Sequence, residues 1–145
     1  MQRSKIFLPD VNVWLAFVAD GHVHHGAAAR WMEGLPVRSA AFCRVTQIGL
    51  LRLLTNAHLM GRAVLSQSAA WQVYEELQKD ERVILLPEPS GLEERWRELT
   101  LRRSSSMNLW TGCYLRAFAE VRGIQVSTFD RALAAAAQSG ALLLS

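Results

Sequence analysis

Two aspartates stand directly after predicted β-strands, where their side chains can meet in a cleft. Asp10 follows a short apolar run that ends at Pro9, and Asp130 follows a second apolar run that ends at Thr128. In an open parallel sheet the functional cleft lies beyond the carboxyl ends of the strands, where the strand order reverses. Two carboxylates that converge there without a basic partner repel each other, and a hard divalent cation such as Mg²⁺ or Mn²⁺ relieves that repulsion. Asp10 and Asp130 are therefore predicted to be catalytic and to hold a metal ion.

Helix capping is the alternative interpretation of both aspartates, because Asp is common immediately before the first turn of a helix. Asn12 and Thr128 flank the acids, and they could orient the carboxylates or a metal-bound water. A hydrogen bond within a cap or a turn is the alternative for these two residues. The sequence leaves both questions open.

Strands and helices alternate along the chain. Apolar patterns and turn residues predict strands over 5–8, 39–42, 83–86, 124–128 and 141–144, and helices over 11–19, 27–32, 45–54, 66–78, 90–101, 109–121 and 132–137. Ser66 is the expected N-cap of one helix, and Ser90 with Glu93 has the spacing of a capping box at another. Parallel strands need crossover connections, which helices supply. The expected fold is a three-layer α/β/α domain with a central, mainly parallel sheet.

Length and composition favour one compact domain. The 145 residues fit a single domain spanning 1–145, and half of them are apolar, which is enough to form a core. Cys43 and Cys113 lie far apart, so neither a disulfide framework nor a zinc site is indicated. No apolar stretch approaches the roughly 20 residues of a membrane span, and the start of the chain is unlike a signal peptide. We expect a cytoplasmic protein without membrane contact.

Basic residues slightly outnumber acidic ones. Sixteen against thirteen give a formal charge of +3, and all the basic residues except Lys5 and Lys79 are arginines, which suit bidentate contacts with phosphate. This composition permits a nucleic-acid substrate, and the basic loop at 102–106 is the best candidate for phosphate contacts. A Gly-rich phosphate-binding motif is missing after the first strand, which argues against dinucleotide and nucleoside triphosphate binding.

Four segments, in this order, carry a family resemblance. They read Phe-Leu-Pro-Asp-Val-Asn-Val-Trp-Leu-Ala at 7–16, Val-Thr-Gln-Ile-Gly-Leu-Leu-Arg-Leu-Leu-Thr-Asn at 45–56, Trp-Thr-Gly-Cys-Tyr-Leu at 110–115 and Val-Ser-Thr-Phe-Asp-Arg at 126–131. Together they resemble a PIN-domain protein of the VapC toxin type. The resemblance implies a magnesium-dependent endoribonuclease that cleaves RNA, the toxin of a type II toxin–antitoxin system, held by a cognate antitoxin and commonly a homodimer.

The match departs from the family at two metal-binding positions. The family pattern places acids at the positions of Asp10 and Asp130, and usually also at those matched by Gly112 and Gly49, although some members of this branch lack the acid at the latter. Gly112 stands inside a predicted helix, where Gly costs about 1 kcal/mol relative to Ala. Two of the four acids remain, so the resemblance implies an impaired metal site. Asn108, four residues before Gly112, could supply a neutral ligand or cap the helix.

Two other functions remain open. A catalytically dead PIN domain could still bind an antitoxin or RNA without cleaving it. A phosphohydrolase of the haloacid-dehalogenase kind would use Asp10 as a nucleophile, but Asp10-Val11-Asn12 supplies only half of the usual Asp-x-Asp motif.

Overall fold

A five-stranded parallel sheet forms the centre of the protein. The computed structural model describes residues 5–102, 105–107 and 109–145. The strands are β1 (Phe7–Pro9), β2 (Ala40–Phe42), β3 (Val83–Leu85), β4 (Gln125–Thr128) and β5 (Ala141–Leu143). They lie in the order β3-β2-β1-β4-β5, and every pairing between them is parallel. The predicted fold class is confirmed.

Helices connect successive strands. They are α1 (Val11–Val18), α2 (His25–Glu33), α3 (Arg44–Leu54), α4 (Ala57–Met60), α5 (Gln67–Lys79), α6 (Leu92–Thr100), α7 (Leu109–Arg122) and α8 (Arg131–Ala137). Within the described residues, no helix is both long and apolar enough to span a lipid bilayer.

Two hydrophobic cores flank the sheet, because successive residues of a strand point to opposite faces. Ala40 and Phe42 of β2 belong to one core, whereas Ala41 between them belongs to the other. In the first core the ring of Trp14 stacks on Phe42 with centroids 3.9 Å apart. The second core contains Phe118 of α7. The cores join helices to both faces of the sheet and produce the three layers.

The helix starts show which capping predictions were right. Ser66 caps α5 as predicted, and its Oγ accepts a hydrogen bond of 3.1 Å from Ala69 N. The capping box predicted at Ser90 is wrong. The residue before α6 is Gly91 in a left-handed conformation (φ +89°), with no side-chain cap. A backbone turn that only glycine adopts easily therefore replaces the side-chain cap here.

The strand order reverses between β1 and β4. The chain runs from β1 outward to β3 on one side, and β4 then pairs on the other side of β1. The two strands end almost level, with Pro9 opposite Ser127. This topological switch point is where a cleft forms beyond the carboxyl ends of the strands.

Candidate functional site

Asp10 lies at the end of β1 and begins α1. Its backbone N–H donates a hydrogen bond of 2.9 Å to the carbonyl oxygen of Ser127, so the strand pairing continues to this residue. Its Oδ1 accepts a hydrogen bond of 3.0 Å from Val13 N, which caps the helix. The residue is only 8% exposed. Backbone pairing and the cap together hold the Asp10 carboxylate in one orientation.

Asp130 caps α8 in the same way beyond β4. Its Oδ1 accepts hydrogen bonds from Ala132 N at 2.8 Å and from Leu133 N at 3.1 Å. Among the described residues, Oδ2 of Asp130 has no hydrogen-bond donor. Unlike Asp10, this residue is exposed. One of its oxygens is therefore available to a ligand from the cleft.

Thr128 links the two aspartates. Its buried hydroxyl donates a short hydrogen bond to Oδ2 of Asp10 and accepts one of 2.9 Å from the backbone N–H of Asp130. A hydroxyl can do both because it has one donor and two acceptor lone pairs. Thr128 therefore fixes the Asp10 carboxylate relative to the backbone that carries Asp130.

Burial raises the pKa of Asp10 above its ordinary value, and the negative charge of Asp130 adds to the rise. Hydrogen bonds from Thr128 and from Val13 N oppose it, because they stabilise the charged carboxylate. A positive ion near Asp10 would likewise lower this pKa. The protein thus bears an energetic cost for the charge on Asp10 that a cation would offset.

A Thr128→Val substitution in the metal-free protein is expected to raise the pKa of Asp10 further, because Val keeps the side-chain shape and removes the donor. Loss of this charge-assisted bond is expected to cost about 1.5–3 kcal/mol of stability near neutral pH. An acid whose pKa is raised by folding destabilises the folded state above that pKa, and the penalty disappears as the pH falls below the ordinary value. The difference in unfolding free energy between variant and wild type should therefore shrink on acidification.

Titration of the Asp10 carboxyl carbon by NMR, with denaturant unfolding at several pH values, checks this expectation. Ser127→Ala is the matched control, since Ser127 Oγ is buried in the same strand and has no partner among the described residues. An Asp10 pKa that is unchanged by Thr128→Val would contradict the assigned hydrogen bond.

Asp10 and Asp130 line one cavity of about 470 Å³. Asn12 and Gly112 also line it, so four of the five predicted site residues meet there, and Thr128 lies buried behind them. Asn108 lies outside the described residues, as do Arg103 and Ser104 of the predicted basic loop.

The oxygen ligands in this cavity suit a magnesium ion that keeps part of its hydration shell. Mg²⁺ is commonly bound by one or two carboxylates together with waters and substrate phosphates. Asp10 and Asp130 supply two carboxylates, and Asn12 adds an amide oxygen to the lining. Within the described parts of the chain, no group of three or more His, Cys, Asp or Glu side chains converges on a metal position. The residues present fit an ion that is held jointly with substrate.

Gly112 and Gly49, where the family resemblance usually implies acids, differ in the space around them. Gly112 lies in α7, where a β-carbon would be 3.7 Å from Leu133 Cδ1, an ordinary contact. At Gly49 in α3, a β-carbon would be 2.6 Å from Val11 Cγ2 and 3.3 Å from Cγ1. The fold can therefore accept a side chain at position 112, whereas the branched side chain of Val11 fills the space beside Gly49.

Two basic residues also reach the cavity, and the sequence reasoning identified only one of them. Arg102 belongs to the predicted basic loop, whereas Arg116 on α7 was not singled out. The signal that could have revealed Arg116 is its spacing of four residues from Gly112, which places both on one face of the helix.

The chain is similar to known proteins in both sequence and fold. A family model described as PIN domain matches residues 7–138. A ribonuclease of Mycobacterium tuberculosis, VapC41, is 39% identical over 132 residues, which are 88% of this chain and 90% of the relative. Among solved structures, the M. tuberculosis Sarcin-Ricin loop cleaving toxin VapC20 superposes with a TM-score of 0.65 at 22% identity over 90% of this chain and 94% of the other. A toxin–antitoxin complex from Klebsiella pneumoniae gives 0.62 at 14% identity over 93% and 94%.

Proposed function

Since the chain belongs to the PIN-domain family and has a VapC ribonuclease among its relatives, we propose that it is a magnesium-dependent endoribonuclease, the toxin of a type II toxin–antitoxin system. The observation that carries the proposal is the pair Asp10 and Asp130 at the switch point, joined through Thr128 and lining one cavity. Mn²⁺ is an alternative ion, because it accepts the same oxygen ligands.

Each residue of the site has a role in this reaction. A bound divalent ion would activate water and offset the charge that builds on the phosphate. Asp10 and Asp130 would hold the ion, Thr128 keeps Asp10 oriented, and Asn12 lies where its amide can bind a water or a phosphate oxygen. The buried position of Asp10 strengthens its attraction for a cation, because little water screens the charge.

We expect Gly112 to weaken this activity, because the family pattern places a third carboxylate at this position. With two acids, capture of Mg²⁺ depends on the substrate phosphate, since the ion otherwise keeps its hydration shell. A PIN domain that binds an antitoxin or RNA without cleaving it is the second candidate. It is favoured because the described residues that line the cavity include only two carboxylates.

Slow RNA cleavage by the purified chain is the expected result in the presence of Mg²⁺, with none in excess EDTA. Asp10→Asn should remove the activity while Asn keeps the helix cap, because Asn and Asp cap helices about equally well. The measurement is single-turnover cleavage of labelled structured and single-stranded RNAs. Cleavage that continues in EDTA or in Asp10→Asn would show that this site does not catalyse it, and no cleavage by the wild-type chain would favour the binding-only candidate.

A cognate antitoxin and a homodimer are the proposed protein partners, and the RNA substrate places the proposed activity in the cytoplasm. Ile48 on α3 and Trp71 on α5 are 49% and 47% exposed and line one depression, which supports a second copy of the chain at this face. Sedimentation equilibrium of wild type and Trp71→Glu tests the dimer, which the charged variant should dissociate. Co-expression with a candidate antitoxin, followed by size-exclusion chromatography, tests the second partner, and a chain that elutes alone would contradict that pairing.

We also propose that residues 1–145 form a single PIN domain. Both hydrophobic cores rest on the same five-stranded sheet, which supports one folding unit. Limited proteolysis should then leave one protected fragment, and two separately stable fragments would contradict a single domain.

A further inference from the structure

Arg116 brings a positive charge to the cavity that holds Asp10 and Asp130. Its Nε is buried and has no hydrogen-bond partner among the described residues. Its guanidinium also forms no ion pair with any carboxylate in that part of the chain. The neighbouring arginine Arg95 differs, because it is paired with Glu120 and Glu98. Within the described part of the chain, Arg116 is therefore a cation at the cavity that lacks an ion-pair partner and a hydrogen-bond partner for its Nε.

A buried arginine N–H without a hydrogen-bond partner destabilises the folded protein unless another group accepts its hydrogen bond. The penalty for a buried N–H that lacks a partner is larger when the group is charged. Buried polar groups in native proteins are nearly always satisfied by protein, water or ligand. The Nε–H is thus available to an acceptor that enters the cavity, either a water or a ligand.

The charges around the cavity indicate which acceptor fits. Asp10 and Asp130 are balanced by Arg102 and Arg116, so the lining has no net formal charge. Two carboxylates alone would repel an RNA phosphate, and the two guanidinium groups remove that barrier. A guanidinium also matches a phosphate group geometrically, since its parallel N–H groups can bond two phosphate oxygens.

We propose that Arg116 is a phosphate-binding residue of this cleft, whose Nε–H and one Nη–H bind the non-bridging oxygens of an RNA phosphodiester beside Asp10 and Asp130. The inference rests on the proposed function for its ligand, RNA. It does not require cleavage, because a phosphate bound by Arg116 needs no metal ion.

The test is the salt dependence of RNA binding in EDTA, where metal-dependent cleavage cannot occur. The probe is a fluorescein-labelled single-stranded RNA 12-mer, titrated with Arg116→Gln, Arg116→Lys, wild type and Arg122→Gln at several salt concentrations. Arg122 is the matched control, because it is exposed at the end of the same helix and does not line the cavity. Arg116→Gln should bind about 10-fold more weakly, as loss of charge-assisted hydrogen bonds implies. Its slope of log K against log salt should fall by about 0.7, the value for one phosphate contact on a single strand.

Arg116→Lys should keep the wild-type slope and bind less tightly, because it retains the charge and loses the two-pronged geometry. An equal change of slope in Arg122→Gln, or a wild-type slope in Arg116→Gln, would overturn the proposal. Thermal unfolding checks whether each variant is folded at the titration temperature. If Arg116→Gln is unfolded there, Arg116→Lys decides the test, and a changed slope in that variant would overturn the proposal. Arg116-dependent binding without cleavage in Mg²⁺ would reject the nuclease and leave the phosphate site intact.

Discussion

Gly112→Asp is expected to increase magnesium-dependent RNA cleavage by at least about 100-fold, because the loss of even an outer-shell partner of a metal site costs about 10- to 100-fold. The new carboxylate would start from a helix that faces the cavity of Asp10 and Asp130. Its β-carbon has room beside Leu133. Replacing Gly within α7 also removes a helix-destabilising residue, so the variant should be at least as stable as wild type.

The gain should depend on the magnesium concentration. Arg116 lies one helical turn after position 112, so the new carboxylate can pair with it, and Mg²⁺ must compete with that pair. Cleavage rates measured across a magnesium series therefore separate a weak site from an absent one.

Two control variants make this result specific. Gly26→Asp adds the same charge to α2, outside the cavity lining, and should leave the cleavage rate unchanged. Asp10→Asn in the Gly112→Asp background should abolish the gain. A folded Gly112→Asp protein that binds RNA and cleaves none at any magnesium concentration would reject the nuclease proposal for this chain.

Gly49→Glu is expected to destabilise the protein by about 1–3 kcal/mol and to restore no activity, although the family resemblance usually implies an acid at this position. A β-carbon at position 49 would lie too close to both γ-carbons of Val11, so Val11 or the helices α1 and α3 that carry the two residues would have to shift. Overpacking of this kind costs about 1–3 kcal/mol. Because Val11 directly follows Asp10, such a shift would also disturb the Asp10 carboxylate.

Chemical unfolding of a double-mutant cycle measures this effect. Val11→Ala removes the two close γ-carbons, so Gly49→Glu should cost less in that background than in wild type. Gly49→Ala carries the smallest side chain and isolates the cost of the β-carbon from that of the charge. Equal costs of Gly49→Glu with Val and with Ala at position 11 would refute the steric explanation.

The order of strands and helices followed from sequence because their hydrophobic patterns are strong. The strands at 39–42 and 83–86 and the helix at 109–121 appear in the structure within one residue at either end. α4 was missed, since a single turn of four residues is too short to show a hydrophobic period. The predicted cap at Ser90 was wrong because the capping-box pattern does not reveal that Gly91 adopts a left-handed conformation.

Reasoning from the strand ends identified the two aspartates, and the family resemblance added the positions of Gly112 and Gly49. Asp10 and Asp130 could be placed together because parallel strands end at one edge of the sheet. The double hydrogen bond of Thr128, the space at Gly112 and the crowding of Gly49 by Val11 depend on distances between elements, which no local pattern encodes. Arg116 has a local signal, its spacing of four residues from Gly112, but its place in the cavity depends on how α7 packs against the sheet.

The capping hydrogen bonds of Asp10 and Asp130 have an evolutionary consequence. Each aspartate begins a helix, so replacing it by a residue that cannot cap would cost about 1 kcal/mol even in a chain that no longer cleaves RNA. Selection for folding alone would keep a residue that caps a helix, such as Asp, Asn or Ser, at both positions. The residue at position 112 caps no helix, so this selection for capping does not act on it. In a lineage that loses catalysis, the residue at position 112 is thus expected to change before the residues at positions 10 and 130 change.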